Sequence, residues 1–277
     1  MAIISGTSSS HIVVSNHHEF ITGICGPYDD AILSGFSCYE SGQNLTGKVL
    51  ETLLAHHPLY PAFVEKLALS NDSMFDQLNA SVFAYAAEQN HTFPALLAKN
   101  FHIYPELHGN RSPTSDPMLR GMISGLQVPV RTPSRLPSPT MTLFYYSTLL
   151  GICYGTRHII DTHKTSGIVI ADIVLSGALC SNSLFAQSLA DVAQCRVIVG
   201  SCGGEQTPLL GGAISAAAAY HTTNVSQKLW DCMKNMTAPD HIYEPAGPDV
   251  LAFHDRKYRV YLKMLHDQLE YRSMMHE

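Results

Sequence analysis

The sequence predicts an α/β fold, and three features carry that prediction. A short apolar run, Ile173-Val174-Leu175, is closed by Ser176-Gly177 and followed by Phe185, Leu189 and Val192 at helical spacing. A second run, Arg196-Val197-Ile198-Val199, precedes the Ala-rich stretch LLGGAISAAAAY, with Thr207-Pro208 setting a proline in the first helical turn. The first residues read as two β-branched strands, Ile3-Ile4 and Ile12-Val13-Val14, joined by the turn Gly6-Thr7-Ser8-Ser9-Ser10. Strand-helix-strand-helix in succession is the pattern of an α/β unit.

Taken in order, the hairpin turn comes first. Its successive N–H groups and hydroxyls can form a concavity for phosphate oxygens, or it can be an ordinary Gly/Ser turn. Residues 20–40 alternate turn signals with short apolar pieces, as in an antiparallel extension. Leu45, Val49, Leu50, Leu53 and Leu54 have helical spacing that stops at Pro58, and two more helices are predicted around Pro61 to Leu69 and Met74 to Glu88. Residues 101–126, FHIYPELHGNRSPTSDPMLRGMISGL, read as a long polar loop feeding a strand at Met122-Ile123. Its His108, Asn110, Arg111, Asp116 and Arg120 are read first as supports for the loop backbone and second as ligands.

The four prolines of QVPVRTPSRLPSPT, residues 127–140, mark an internal boundary that regular helix or central strand cannot cross. Beyond it, Leu143, Tyr146, Leu150, Cys153 and Ile160 predict one helix of about six turns, lying across the sheet that holds Ile173 to Leu175. Asn182 or Ser183 caps the helix after Gly177, and free N–H groups at such a start attract phosphate; a plain α/β connection has the same appearance. Gly211 and Gly212 each cost roughly 1 kcal/mol relative to Ala inside a helix. That predicts a close approach there, by another backbone or by a bound adenosine. Tyr258, Tyr261, Leu262, Leu265 and Leu269 share one face of a C-terminal docking helix over Lys257 to Tyr271.

Composition narrows the function classes. The chain of 277 residues, 45% hydrophobic and 14% charged, can bury a large core. A net charge of -6 without a Lys/Arg run argues against a nucleic-acid surface. There is no apolar run of membrane-spanning length and no basic lead-in before an apolar segment, so a cytoplasmic protein with no membrane partner is expected. The seven cysteines are odd in number and form no CxxC pair, which predicts reduced thiols, with neither disulfides nor zinc. None of the fifteen histidines has the i, i+4 spacing with an acidic partner that a helical metal site needs, so no metal ligands are assigned. Asn44-Leu45-Thr46 and Asn224-Val225-Ser226 are sequons that carry no weight without a secretory signal.

Several of these segments together resemble one family. His108-Gly109-Asn110-Arg111-Ser112-Pro113 with Asp116-Pro117 and Arg120-Gly121-Met122, then Gly26-Pro27-Tyr28, Gly35-Phe36 and ESGQNLTG (40–47), are similar to segments of the FGGY carbohydrate kinases. So are Ser176-Gly177 with Asn182, Leu184-Phe185, Gln187 and Ala190-Asp191, and the terminal DRKYRVYLKMLHDQLEY. The whole chain resembles the C-terminal half of that family, most closely its D-ribulokinase-like branch.

The resemblance implies an actin-like, ribonuclease-H-type ATPase fold, residues 1–277 forming the nucleotide-binding domain with a helical and loop insertion at about 44–120. It implies ATP, Mg2+ held through the nucleotide, and a sugar as ligands, with phosphorylation of a ketopentose such as D-ribulose as the parent reaction. It implies that Gly6, Thr7 and Ser8 form a phosphate loop, that Gly42 and Gln43 lie on the nucleotide side, and that Gly177, Ala178, Asn182 and Gly211 line the adenosine pocket. The family's catalytic Asp precedes the phosphate loop, so the sugar-binding half is expected to be missing here and no catalytic residue is assigned. Ala178 and Ser41 replace expected glycines, and Ser37 and Cys38 stand where an aromatic is usual. A non-catalytic nucleotide-binding or interaction protein derived from a truncated kinase is the alternative, and a homo-oligomer is left open.

Overall fold

The computed structural model describes residues 1–126, 136–200, 203–220 and 225–275, so most of the proline-rich boundary, 127–135, lies outside them. The strands are β1 (Ala2–Ser5), β2 (Ser9–Ser15), β3 (Cys25–Asp29), β4 (Ser37–Gln43), β5 (His102–Tyr104), β6 (Met122–Ser124), β7 (Asp172–Ser176), β8 (Arg196–Gly200) and β9 (Pro239–Tyr243). The helices are α1 (Gly47–Ala55), α2 (Tyr60–Leu67), α3 (Met74–Glu88), α4 (Pro139–Thr165), α5 (Ser183–Ala193), α6 (Gly203–Tyr220), α7 (Val225–Met236) and α8 (Pro248–Met274).

Seven strands form one mixed sheet in the order β3-β4-β2-β1-β7-β8-β9, and β5 pairs with β6 in a separate ribbon. β1, β2 and β4 make an antiparallel meander. β7 lies parallel to β1, with Ala2 opposite Val174, Ile3 opposite Leu175 and Ile4 opposite Ser176, and β8 continues the parallel run. Alternation along the strands sets the core face. Ile3, Ile173, Leu175 and Val197 are buried, whereas Ile4 and Val174 face outward and are about half exposed.

The core face is covered by α4 and α5. Ser138 caps α4 by accepting from Met141 N at 3.2 Å, and Pro139 occupies its first turn, where a missing N–H costs nothing. The helix is buried nearly all round because α1, α3, α5 and the sheet surround it. It therefore starts inside the stretch read as irregular and is longer than the apolar spacing indicated. Helix α8 likewise begins at Pro248, nine residues before the predicted start, and α6 begins at Gly203, so Pro208 lies within the helix and not in its first turn. Strand β5 and, after residue 220, α7 and β9 were not predicted. β4 is hard to read because SCYESGQ is polar although all but one of its residues are buried.

Burial without ion pairing leaves an acid-sensitive signature. His11 on β2 and His163 on α4 are fully buried, and the His163 ring nitrogens have no hydrogen-bond partner among the described residues. Loss of solvation pushes His11 down to about 3, assisted by the nearby His163 and Arg111. It pushes His163 and His102 to about 4 and His254 to about 3. Unfolded histidine titrates near 6.5, so below that pH the unfolded chain takes up protons that the fold refuses until pH falls to about 4 or 3. Stability is present above 6.5 and is lost as pH falls. Urea unfolding at pH 7.5, 6.0 and 5.0 is expected to show stability falling by about 1.4 kcal/mol per pH unit for each such histidine below 6.5; a flat profile would contradict neutral buried imidazoles.

Candidate nucleotide site

The pairing of β1 with β7 decides where a site can form. Because they are parallel neighbours, their C-terminal ends lie side by side, and the chain leaves them in opposite directions, β1 toward β2 and β7 toward α5 and β8. Such a switch point leaves a crevice at the strand ends. Two turns flank it, Gly6-Thr7-Ser8 after β1 and Gly177-Ala178 after β7.

The first turn is bound on its carbonyl side. Gly6 O accepts from Gly47 N and from Thr46 Oγ1, both at 2.8 Å, while Thr7 O accepts from Thr46 N at 2.9 Å and Lys48 N at 3.3 Å. Ser8 O accepts from Gly6 N at 2.9 Å. Among the described residues no backbone or side-chain acceptor takes the N–H of Thr7 or Ser8, and both residues are exposed. These two donors and the adjacent hydroxyls form a surface suited to phosphate oxygens.

The second turn needs glycine. Gly177 has φ +86° and ψ 179°, a region that other residues scarcely enter, and a Cβ there would strike the backbone of Ser5. Gly204, in the first turn of α6, is pressed against the Gly177 carbonyl in the same way. Ala178 opens a short 3-10 turn and is exposed, so its methyl meets solvent and not the protein.

The other expected residues divide. Gly42, opposite Ser10, and Gln43, opposite Ser9, put the end of β4 on the same sheet edge as the first turn. A Cβ on Gly42 would collide with Ser9 O and lie 3.3 Å from Arg111 Nη1, so the Arg111 side chain packs over it. Gln43 points the other way: its side chain is buried and donates to Ile152 O and Thr156 Oγ1 of α4, each at 3.0 Å.

Asn182 is fully buried and caps α5 with its side chain turned into the core, using one of the N–H groups of the helix start. Its Oδ1 accepts from Phe185 N at 3.1 Å and Asn79 Nδ2 at 3.0 Å, and its Nδ2 donates to Tyr145 Oη at 2.7 Å. Tyr145 Oη then donates to Asn79 Oδ1 at 2.8 Å, closing a ring of three side chains. Gly211 lies on the exposed part of α6 with no described atom within 4 Å of where a Cβ would be. No described backbone approaches Gly211 or Gly212, which leaves the bound adenosine of the two expectations there; the close backbone approach in α6 is at Gly204.

The 101–126 loop is chiefly self-supporting. Asn110 Nδ2 donates to Glu106 Oε1 at 3.0 Å, and Asn110 Oδ1 accepts from Thr114 N at 2.9 Å. Asp116 pairs with Arg272 of α8 at 2.6 Å, which holds its carboxyl below the usual range. Arg120 donates to Pro117 O and Leu119 O. Arg111, like Asp116, reaches out of the loop, to Glu40 Oε1 at 2.6 Å on the outer side of β4. Glu40 lies within the 40–47 segment, where a lone Glu in a polar strand carries no signal in the sequence. Asn44 Nδ2 fastens the loop to the end of β4 through His108 O and Gly109 O, both at 3.0 Å.

Among the described residues no group of three His, Cys, Asp or Glu side chains converges as a metal site, and no helix is long and apolar enough to cross a membrane. None of the six described cysteines is in a disulfide.

Residues 1–220 match the C-terminal domain of the FGGY family of carbohydrate kinases. The chain belongs to that family. It is 30% identical over 277 residues to a human FGGY carbohydrate kinase domain-containing protein, covering 100% of this chain and 48% of that one. A D-ribulokinase of Saccharomyces cerevisiae is 32% identical over 219 residues, covering 79% of this chain and 30% of that protein. The chain thus spans about half the length of the human relative, and less of the yeast one. A xylulose kinase from Rhodospirillum rubrum superimposes with a TM-score of 0.68 at 18% identity, over 98% of this chain and 47% of that one. The fold is therefore the actin-like, ribonuclease-H-like ATPase fold of the sugar kinases, as the resemblance implied.

Two substitutions test this architecture by urea unfolding. Gly177→Ala forces a Cβ into a glycine-only region and should cost roughly 1–3 kcal/mol from backbone strain alone. Asn182→Ala removes a cap acceptor and strands Tyr145 and Asn79, with an expected loss of about 1–3 kcal/mol. Wild-type stability in either variant would contradict the placement of that residue.

Proposed function

We propose that this chain is the nucleotide-binding half of an ATP-dependent carbohydrate kinase whose sugar is a ketopentose such as D-ribulose. The observation that carries the reading is the Gly6-Thr7-Ser8 turn, whose carbonyls are all engaged and whose Thr7 and Ser8 N–H groups are free beside the Gly177 turn. Family membership supports the reaction class, and the yeast D-ribulokinase supports the choice of sugar. A cytoplasmic location fits a soluble kinase of this kind.

The residues fit a bound polyphosphate. Thr7 and Ser8 would donate N–H groups and hydroxyls to phosphate oxygens, and Gly177 and Ala178 would let the rest of the nucleotide approach the backbone. ATP would supply the phosphoryl group, with Mg2+ held through its phosphates and not by a cluster of protein carboxylates. The turn would act by orienting the phosphates and stabilising their charge through hydrogen bonds, and positioning with electrostatic stabilisation is most of what phosphoryl transfer requires of a protein. The proton of the sugar hydroxyl needs a carboxylate as acceptor, and the resemblance assigns that role to an Asp upstream of Gly6.

Calorimetric titration of the 277-residue chain with ATP and Mg2+ is expected to show saturable binding, and a coupled ADP-release assay with D-ribulose is expected to show no turnover. Absence of binding would overturn the nucleotide assignment. Turnover by the chain alone would overturn the claim that the proton acceptor lies elsewhere.

A further inference from the structure

Helix α1 breaks three local rules at its first turn, all of them beside the phosphate turn. Thr46 occupies the N-cap, where a threonine hydroxyl ordinarily accepts from the N–H two or three residues on. Here it makes no such cap bond and instead donates Oγ1 to Gly6 O at 2.8 Å, although Thr46 is fully buried. The first helical residue is Gly47, among the poorest helix formers, and a Cβ there would come within 2.7 Å of Gly6 O. The first turn carries no acidic residue but does carry Lys48, whose charge opposes the helix dipole and is paired with Glu51 at 2.9 Å. Local rules broken together at one helix start mark a functional constraint.

The geometry supplies the constraint. In a trans peptide the C=O and the following N–H point in opposite directions. Thr46 N, Thr46 Oγ1, Gly47 N and Lys48 N draw the Gly6 and Thr7 carbonyls toward α1. The Thr7 and Ser8 N–H groups are thereby turned away from α1 and left free. We propose that Thr46 and Gly47 form a clamp that orients the Thr7 and Ser8 amides toward a nucleotide polyphosphate, with Thr46 Oγ1 as its side-chain positioning group. This rests on the nucleotide reading above, but the clamp can be tested without ligand. Thr46 acts through the turn and does not itself touch phosphate.

Thr46→Val keeps the side-chain shape and removes one bond, while Gly6 O retains its bond from Gly47 N, so the fold should survive. Thr46→Ser restores the hydroxyl, and Gly47→Ala pushes on the Gly6 carbonyl directly. Amide spectra of isotope-labelled, ligand-free chains are expected to show the Thr7 and Ser8 resonances shifted or broadened in Thr46→Val and Gly47→Ala and near wild type in Thr46→Ser. Titration with ATP and Mg2+ is expected to show affinity weakened about tenfold in Thr46→Val, the equivalent of one hydrogen bond, and recovered in Thr46→Ser. Unchanged Thr7 and Ser8 amides in Thr46→Val and Gly47→Ala would overturn the clamp, whatever the nucleotide result. Altered amides with wild-type affinity would overturn its role in binding. A wild-type chain that fails to bind ATP would overturn the nucleotide reading, and with it the polyphosphate as target, while the ligand-free spectra still judge the clamp.

Discussion

The parallel pairing of β1 with β7 is the contact on which the rest depends. Four residues of β1 join the antiparallel strands β2, β4 and β3 on one side to a parallel α/β unit on the other, and the register sets Ile4 beside Ser176. That register brings two glycine-containing turns together across a gap of more than 160 residues in sequence. A slip of one residue would turn Ile3 from the core to solvent and part the two turns. The Gly177 backbone packed against Ser5 adds a steric check on the same register.

Around this seam the chain divides its polar groups between support and display. Gln43 and Asn182 look like binding residues by type, yet both spend their side chains on the core, Gln43 on α4 and Asn182 on Tyr145 and Asn79. Buried amides with nearly complete hydrogen bonding fix an arrangement more firmly than apolar groups of equal size, because any rearrangement leaves an unpaired donor or acceptor. The displayed groups are main-chain N–H donors, which occupy fixed positions and carry no charge that must be desolvated.

Much of this was legible in the sequence, for reasons that differ by element. The hairpin, β7 and β8 were readable as short β-branched apolar runs bounded by turn residues, and α3 and α5 because their apolar residues keep a period of 3.6. β4 was not, since Ser37, Ser41 and Gln43 are buried by hydrogen bonding to neighbours and not by hydrophobicity. The starts of α4, α6 and α8 were missed because prolines and glycines in a first turn look like breakers when read alone. Of the candidate site, the Gly6-Thr7-Ser8 turn and Gly177 follow from local pattern plus resemblance. The burial of Asn182, the inward turn of Gln43 and the clamp of Thr46 on Gly6 depend on contacts between segments distant in sequence, which no local pattern encodes.

Mapping amide shifts on titration with ATP and Mg2+ tests the central claim most directly, because it reads the position of the ligand residue by residue. The account predicts that the largest shifts fall on Thr7, Ser8, Gly177 and Ala178. Shifts confined to other parts of the chain, with those four amides unmoved, would contradict it.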